Sequence, residues 1–206
     1  MSEATVFIVD DDVAVRDGLA MLLESAGYAV ETFASSKAFL DAFDPHRPGC
    51  IVLDVRMPEL SGPQLQEELK RREVRVPIVF LTAHGDIPTT VRAIKAGAVD
   101  FLTKPVDARL LLDSVRAALD RDRSDRASDA EREALRRTLA TLTDRERDVL
   151  ALAVSGLPNK MIARRLGISH RTVEAYRSHI LMKTGATTLL GLAQVANAGG
   201  VSLIDA

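Results

Sequence analysis

The sequence predicts two domains of different class: an α/β domain in the first 120 or so of its 206 residues, and a small all-α domain after it. In the first part, five short apolar runs alternate with segments whose apolar residues recur at helical spacing. In the second part only helical spacing follows, and a mixed charge run at 121–129 separates the two. Strands that alternate with helices connect through right-handed crossovers, so we expect a parallel sheet with helices on both faces.

The predicted strands are short apolar runs bounded by turn residues, glycine or proline. The run that ends in Asp54 is apolar without interruption and is stopped by Pro58, which is typical of a strand buried on both faces. The five predicted strands are 6–9, 28–32, 50–54, 78–81 and 99–102.

Helical spacing and stop signals predict a helix after each strand. Gly27 ends the first helix, Gly97 ends the fourth, and Asp107 has the position of an N-cap for the fifth. The five predicted helices lie around 15–26, 36–43, 65–69, 87–95 and 110–119.

The composition favours packed cores, because 47% of the residues are hydrophobic. No apolar stretch approaches the roughly 18 residues that a membrane span needs, and no basic segment precedes an apolar one at the N-terminus. We therefore expect a cytoplasmic protein with no membrane partner. Cys50 is the single cysteine and lies inside a predicted strand, which favours a packed core thiol over a reactive one.

The charge of −2 conceals an asymmetry along the chain. Residues 1–120 carry 13 Lys and Arg against 19 Asp and Glu, whereas residues 141–206 carry 8 against 5. The positive second part is a modest indication of an output domain that meets a polyanion.

Polar residues stand at the ends of the predicted strands: Asp10, Asp11, Asp54, Thr82 and Lys104. Because the carboxyl ends of parallel strands meet at one edge of a sheet, we expect these side chains to converge. Taken alone, Asp54 is better explained as a turn cap. Three neighbouring carboxylates, however, repel one another unless a cation lies among them, and Mg²⁺ suits oxygen ligands. A carboxylate nucleophile, a metal and a lysine together suit phosphoryl transfer.

Four motifs resemble the receiver domain of two-component response regulators. They are Val9-Asp10-Asp11, Leu53-Asp54-Val55-Arg56-Met57-Pro58, Leu81-Thr82-Ala83 and Asp100-Phe101-Leu102-Thr103-Lys104-Pro105. The resemblance covers residues 1 to about 120, in the family's order and spacing. It implies a doubly wound, flavodoxin-like sheet with strand order 2-1-3-4-5, and Asp54 as the acceptor of a phosphoryl group from a sensor histidine kinase.

The same resemblance implies a role for each polar residue of the cluster. Mg²⁺ would be bound by Asp10, Asp11, Asp54 and the backbone carbonyl of Arg56. Thr82 and Lys104 would contact the phosphoryl group, Thr82 and Phe101 would form a switch, and the Lys104–Pro105 bond would be cis.

We predict a receiver at 1–120, a charged linker at 121–138 and a second domain at 139–206. The linker shows no apolar face, so it is either solvated and mobile or an exposed helical extension. Ser128 and Glu131 have capping-box spacing, which predicts a separate short helix leading into the second domain.

The second domain is predicted to contain a helix-turn-helix. Thr143 and Glu146 have capping-box spacing at the start of one helix. Two further helices, around 158–166 and 170–184, are joined by a tight turn at Gly167, and a last helix around 189–197 closes the unit.

Residues 142–174 resemble the LuxR-type DNA-binding domain, and together with the receiver they are similar to FixJ-like response regulators over nearly the whole chain. The resemblance implies that the helix from His170 enters the major groove. The predicted DNA-binding residues are Asn159, Lys160, Arg171, Thr172, Glu174, Arg177, Ser178 and Lys183. A solvated helix face is the alternative for the arginines, and Glu174 could either accept from cytosine or orient an arginine. Tyr176 and Thr184-Gly185 depart from the family's usual residues.

The two resemblances predict a transcription regulator controlled by phosphorylation, and not an enzyme. Phosphorylation of Asp54 would promote dimerisation through the fourth helix and fifth strand of the receiver, and with it promoter binding. The expected partners are a sensor histidine kinase, promoter DNA, a second copy of the chain and RNA polymerase. The alternatives are a phosphatase with an aspartyl-phosphate intermediate and a phosphorylation-regulated module that docks protein.

Overall fold

The computed structural model describes residues 4–83 and 94–185. The chain divides into two compact units, residues 1–125 and 126–206. No helix within the described residues is both long enough and apolar enough to cross a membrane.

The first unit is built on a five-stranded parallel sheet in the order β2-β1-β3-β4-β5. The strands are β1 Thr5–Val9, β2 Ala29–Phe33, β3 Gly49–Asp54, β4 Ile78–Thr82 and β5 Asp100–Thr103. The three central strands β1, β3 and β4 are buried along their whole length, as their apolar sequences predict. Both the parallel sheet and its strand order are confirmed.

Each strand differs from its predicted bounds by one residue, at one end or at both. Strand β2 begins at Ala29 rather than at Tyr28. The N–H of Tyr28 donates to the carbonyl of Leu23 at the end of the preceding helix, at 3.0 Å. Tyr28 therefore still belongs to the helix end, and pairing with β1 starts one residue later. Strand β5 likewise runs from Asp100 to Thr103.

Three helices are described within this unit, α1 Val13–Ser25, α2 Ser36–Ala42 and α3 Gly62–Arg71, and a fourth, α4 Ala108–Ala140, begins in it and ends in the second unit. Asp12 caps α1 by accepting from two backbone N–H groups, Ser35 caps α2, and Ser61 and Gln64 form a capping box at α3. The predicted helix at 87–95 lies mostly outside the described residues.

Two hydrophobic clusters cover the two faces of the sheet. Phe7, Phe39 and Phe80 belong to one cluster, and Ile8, Leu23 and Leu111 to the other. Neighbouring residues of a strand point to opposite faces, so Phe7 and Ile8 fall in different clusters. Packing on both faces holds the sheet edge that bears the polar cluster.

Cys50 is fully buried in the second of these clusters, as expected for a core thiol. Burial, and to a lesser extent the charge of Asp122, raises the pKa of Cys50 to about 12. The thiolate that oxidation chemistry requires is therefore strongly disfavoured.

Helix α4 is continuous across the segment predicted to be a linker. Of the two alternatives for that segment, the helical extension is the observed one. The separate helix predicted from Ser128 and Glu131 is wrong, because both residues lie inside α4. Arg and Ala make up half of residues 121–138 and favour helix, and the backbone N–H groups that a cap would satisfy already have helical partners.

Asp122, which the sequence places in the linker, is buried in the first unit with 3% of its surface exposed. Its carboxylate accepts the backbone N–H of Gly49 at 3.0 Å. Helix α4 is thereby fastened to the first residue of β3. From Arg123 to Ala134 the helix has no buried residue.

The described part of the second unit contains α5 Asp144–Val154, α6 Asn159–Leu166 and α7 His170–Thr184. The capping box of Thr143 and Glu146 is confirmed. Gly167 ends α6 with a φ of +66°, and Ser169 then caps α7. Val149, Ile162, Val173 and Ile180 are among the residues of a small core. The predicted helix at 189–197 lies outside the described residues.

Candidate functional site

The carboxyl edge of the sheet brings together most of the polar residues predicted to act there. Asp10 follows β1, Asp54 ends β3, Thr82 ends β4 and Lys104 follows β5. The pairing of Val9 with Leu53, and of Thr82 with Thr103, aligns these strand ends. Asp10, Asp54 and Thr82 are buried, whereas Asp11 is exposed.

Lys104 lies between two buried carboxylates. Its ammonium nitrogen donates to Oδ2 of Asp10 at 2.5 Å and to Oδ1 of Asp54 at 2.6 Å. The side chains of Asp10 and Asp54 are only 1% and 8% exposed, so neither charge is well hydrated. Two carboxylates share one ammonium, and the trio keeps an excess negative charge that a further cation could neutralise.

The pKa values of Asp54 and Lys104 both shift upward. Burial raises the pKa of Asp54 above its ordinary value, and the hydrogen bond from Lys104 offsets this only in part. Burial alone would lower the pKa of Lys104, but its hydrogen bonds to Asp10 and Asp54 outweigh burial, and the pKa is raised. Lys104 therefore keeps its proton, and the charge on Asp54 is the one that the site disfavours.

Backbone groups complete the hydrogen bonding of both carboxylates. The N–H of Arg56 donates to Oδ2 of Asp54 at 2.6 Å, and the N–H of Asp12 donates to Oδ1 of Asp10 at 3.0 Å. All four carboxylate oxygens thus accept an N–H group, which holds each side chain in one orientation.

Arg16 is a neighbour of this cluster that the sequence did not predict. Its guanidinium nitrogen Nη1 donates to the backbone carbonyl of Asp10 at 2.6 Å. The only sequence signal is a basic residue in the first turn of the helix that follows Asp10, and many exposed helices share that feature. The contact ties α1 to the loop that holds Asp10.

Thr82 ends β4, and Phe101 lies on β5, the strand that pairs with β4. Thr82 is 3% exposed, and its backbone carbonyl accepts the N–H of Lys104 at 2.7 Å. The half-buried ring of Phe101 packs against Phe80, with ring centroids 5.9 Å apart. The bond between Lys104 and Pro105 is cis, as the resemblance implies.

The oxygen donors suit a hard divalent cation, although the described side chains do not form a complete set of metal ligands. Within the described ranges, no three Asp, Glu, His or Cys side chains converge in a metal-binding arrangement. The carboxylates of Asp10 and Asp54 both touch Lys104, which shows that one cation can reach both. Mg²⁺ commonly uses one or two carboxylates and completes its shell with water, so this donor set is adequate.

In the second unit, several predicted DNA-binding residues lie on the surface of α6 and α7. Lys160, Arg171, Glu174 and Ser178 are exposed, and Asn159, Thr172 and Arg177 are half-buried. Nη1 of Arg177 donates to Oδ1 of Asn159 at 2.6 Å, so these two residues act as a pair that joins both helices. Glu174 lies 3.6 Å from Nδ1 of His170.

Lys183 occupies a different environment from the other basic residues of this set. Its ammonium donates to Oε2 of the buried Glu146 at 2.7 Å and to the carbonyl of Thr141 at 3.3 Å. Oε2 of Glu146 also accepts the N–H and hydroxyl of Thr143. The hydrogen bond from Lys183 is the main reason that the pKa of Glu146 is lowered to about 2. The end of α7 is thus bound to the start of α5.

Comparison with known families identifies both units. Residues 6–116 match the response regulator receiver domain, and residues 140–196 match the bacterial regulatory proteins of the luxR family. The chain is 46% identical over 200 residues to the transcriptional regulatory protein FixJ of Azorhizobium caulinodans. The matched region covers 97% of this chain and 95% of the relative. The chain is a response regulator. It combines a receiver domain with a LuxR-type output domain, and it acts as a transcription factor.

Other relatives and solved structures also match most of this response regulator. The transcriptional regulatory protein TdiR of Thauera aromatica is 47% identical over 182 residues, with 88% of this chain and 80% of the relative covered. Among solved structures, the response regulator StyR has a TM-score of 0.83 at 45% identity, over 95% of this chain and 99% of that one. Full-length FixJ from B. japonicum has a TM-score of 0.59 at 39% identity, over 98% and 100% of the two chains. The predicted family and fold class are confirmed.

Proposed function

We propose that this response regulator accepts a phosphoryl group on Asp54 from a sensor histidine kinase, and that the modification controls its dimerisation and its binding to promoter DNA. The contact that supports this most directly is the ammonium of Lys104 between the carboxylates of Asp10 and Asp54. Lys104 is held at a strand end beside the carboxylate of Asp54, whose charged form is disfavoured. This arrangement suits Asp54 as the acceptor of a phosphoryl group.

Each residue of the edge has a proposed role. Asp54 supplies the nucleophilic oxygen Oδ1 or Oδ2. Asp10, Asp11, Asp54 and the carbonyl of Arg56 would hold Mg²⁺, which when bound would neutralise charge between the carboxylates and the incoming phosphoryl oxygens. Lys104 can move its hydrogen bond from the Asp54 carboxylate to a phosphoryl oxygen, and the Thr82 hydroxyl would donate to another.

The switch proposal starts from Thr82. A hydroxyl drawn toward the phosphoryl group would free space behind β4, and the ring of Phe101, which already packs against Phe80, would turn inward. The surface that we propose for dimerisation comprises β5 and the segment 87–95, most of which lies outside the described residues. The purpose of the phosphoryl transfer is regulation, not substrate turnover.

For the output domain, we propose that α7 enters the major groove of promoter DNA. Arg171, Thr172, Glu174 and Ser178 would face the bases or phosphates, with Lys160 and the Asn159–Arg177 pair on the backbone. Lys183 already donates to the buried Glu146, so we assign it to the support of α7 rather than to a phosphate contact. RNA polymerase is a further proposed partner, and the cytoplasm is the proposed location.

The test compares wild type with Asp54→Asn. In buffer with Mg²⁺ and acetyl phosphate, wild type gains the mass of one phosphoryl group and shifts from monomer toward dimer in analytical ultracentrifugation. Asp54→Asn should do neither, whereas Asp41→Asn, an exposed aspartate on α2, should behave as wild type. A monomer–dimer response in Asp54→Asn equal to that of wild type would refute the proposal.

A further inference from the structure

A second polar contact lies on the same strand as the proposed switch residue, outside the cluster around Asp54. Asp100 begins β5, directly before Phe101, and its two carboxylate oxygens have different partners. Oδ1 accepts the backbone N–H of Phe101 at 2.8 Å. Oδ2 accepts the hydroxyl of Ser114, on α4, at 2.5 Å. One carboxylate therefore connects the backbone of Phe101 to helix α4.

The hydroxyl of Ser114 has a second acceptor within reach. Its Oγ also lies 2.8 Å from the carbonyl of Leu110, one turn earlier in the helix. A hydroxyl has one hydrogen, so it can donate to only one of the two acceptors at a time. The carboxylate is the stronger acceptor because it is charged. If Asp100 moves away, the hydroxyl turns to Leu110 and is not left unpaired.

The environment of Ser114 makes its choice of acceptor consequential. Ser114 is 5% exposed, and its neighbours Leu111, Val115 and Ala118 are buried in the core beneath the sheet. Water is therefore a poor substitute for either acceptor. Helix α4 then continues to Ala140 at the start of the LuxR-type domain, so a change at Ser114 falls on the element that joins the two domains covalently.

We propose that the hydrogen bond from Ser114 to Asp100 is the coupling between the switch strand β5 and helix α4. This inference rests on the proposed phosphorylation of Asp54. When Phe101 and its backbone move, Asp100 moves with them, and Ser114 exchanges Asp100 for Leu110. The exchange relaxes the restraint that β5 exerts on α4. Ser114 and Asp100 are positioning residues, since neither touches the phosphoryl group.

Hydrogen exchange measured by mass spectrometry tests the coupling in the full chain. Wild type is compared with and without Mg²⁺ and acetyl phosphate, and peptides from β5 and from α4 are followed separately. In wild type, phosphorylation should change the protection of both. In Ser114→Ala, the change in β5 should persist while the change in protection factor along α4 falls at least about tenfold. Ser124→Ala, on the exposed part of α4, is the matched control and should respond as wild type.

A double-mutant cycle separates coupling from a general loss of packing. Asp100→Ala should reproduce the effect of Ser114→Ala, and the double variant should lose no more than either single variant if the two act through one contact. An α4 response in Ser114→Ala equal to that of wild type would overturn the inference. Wild-type protein that carries no added phosphoryl mass, or whose β5 does not respond to it, would instead overturn the proposed function and this inference with it.

Discussion

The substitution Gly62→Ala tests how closely α3 is packed against the strand that bears Asp54. Gly62 is the first residue of α3, and its N–H donates to the carbonyl of Val55 at 3.1 Å. A Cβ at this position would lie 2.3 Å from the carbonyl oxygen of Asp54 and 3.0 Å from the ring of Phe80. Real Cβ atoms essentially never come within 3.0 Å of such a neighbour, so α3 and β3 would have to separate by about 0.7 Å.

That separation has two expected consequences. Overpacking of this kind costs about 1 to 3 kcal/mol of unfolding free energy, which urea-induced unfolding measures. Displacement of the Asp54 backbone by most of an ångström should also slow phosphorylation by acetyl phosphate by about tenfold or more, because this chemistry depends on position. The same substitution at Gly18, in the middle of α1, should instead stabilise by about 0.5 to 1 kcal/mol, because the added Cβ would meet nothing within 4 Å beyond the helix's own nearby backbone and adjacent residues. The reasoning fails if Gly62→Ala matches wild type in both stability and phosphorylation rate.

Two further predictions concern Lys183 and Glu146 in the LuxR-type domain. The pKa of Glu146 is lowered to about 2 from an ordinary value of 4.5, so its ion pair stabilises the fold fully above pH 4.5 and loses that contribution as the pH falls toward 2. Urea unfolding at pH 5 and pH 3 should therefore show a smaller acid-induced loss of stability in Glu146→Gln than in wild type, and an equal loss would contradict the ion pair. On a duplex selected from random sequence, log affinity should fall linearly with log salt concentration. Lys160→Ala should reduce the steepness of that fall by about 0.9, whereas Lys183→Met should leave it unchanged. A less steep fall for Lys183→Met would make Lys183 a phosphate contact.

The carboxyl-edge cluster was predictable because it follows from topology. Once the alternation of strands and helices implies a parallel sheet, residues at strand ends such as Asp54 and Lys104 must meet, although 50 residues separate them. Sequence alone could not say that Lys104 would bridge Asp10 and Asp54, since a flexible side chain chooses its partners only in the packed structure. Nor could the sequence say that Asp11 would be exposed, since the exposure of a side chain is also decided in the packed structure.

Other features depended on competition between local signals and the surrounding structure. Ser128 has the spacing of a helix start, but it lies in the interior of α4, which continues on both sides of it. The sequence predicts Lys183 to be a surface cation, yet its ammonium donates to Glu146, which lies 37 residues earlier in the chain. Periodicity identifies which face of a helix is apolar, but it does not identify a single polar partner on another helix.

The hydrogen bond between Asp122 and Gly49 has a practical consequence for anyone who expresses the receiver alone. A chain cut at residue 120, where the charged run begins, or at residue 116, where the family match ends, would remove the acceptor of a buried N–H at the first residue of β3. Such a fragment would lose stability for a reason unrelated to phosphorylation. Protein that ends at Asp125, the last residue of the first compact unit, would retain this bond and would be the sounder reference for studies of the isolated receiver.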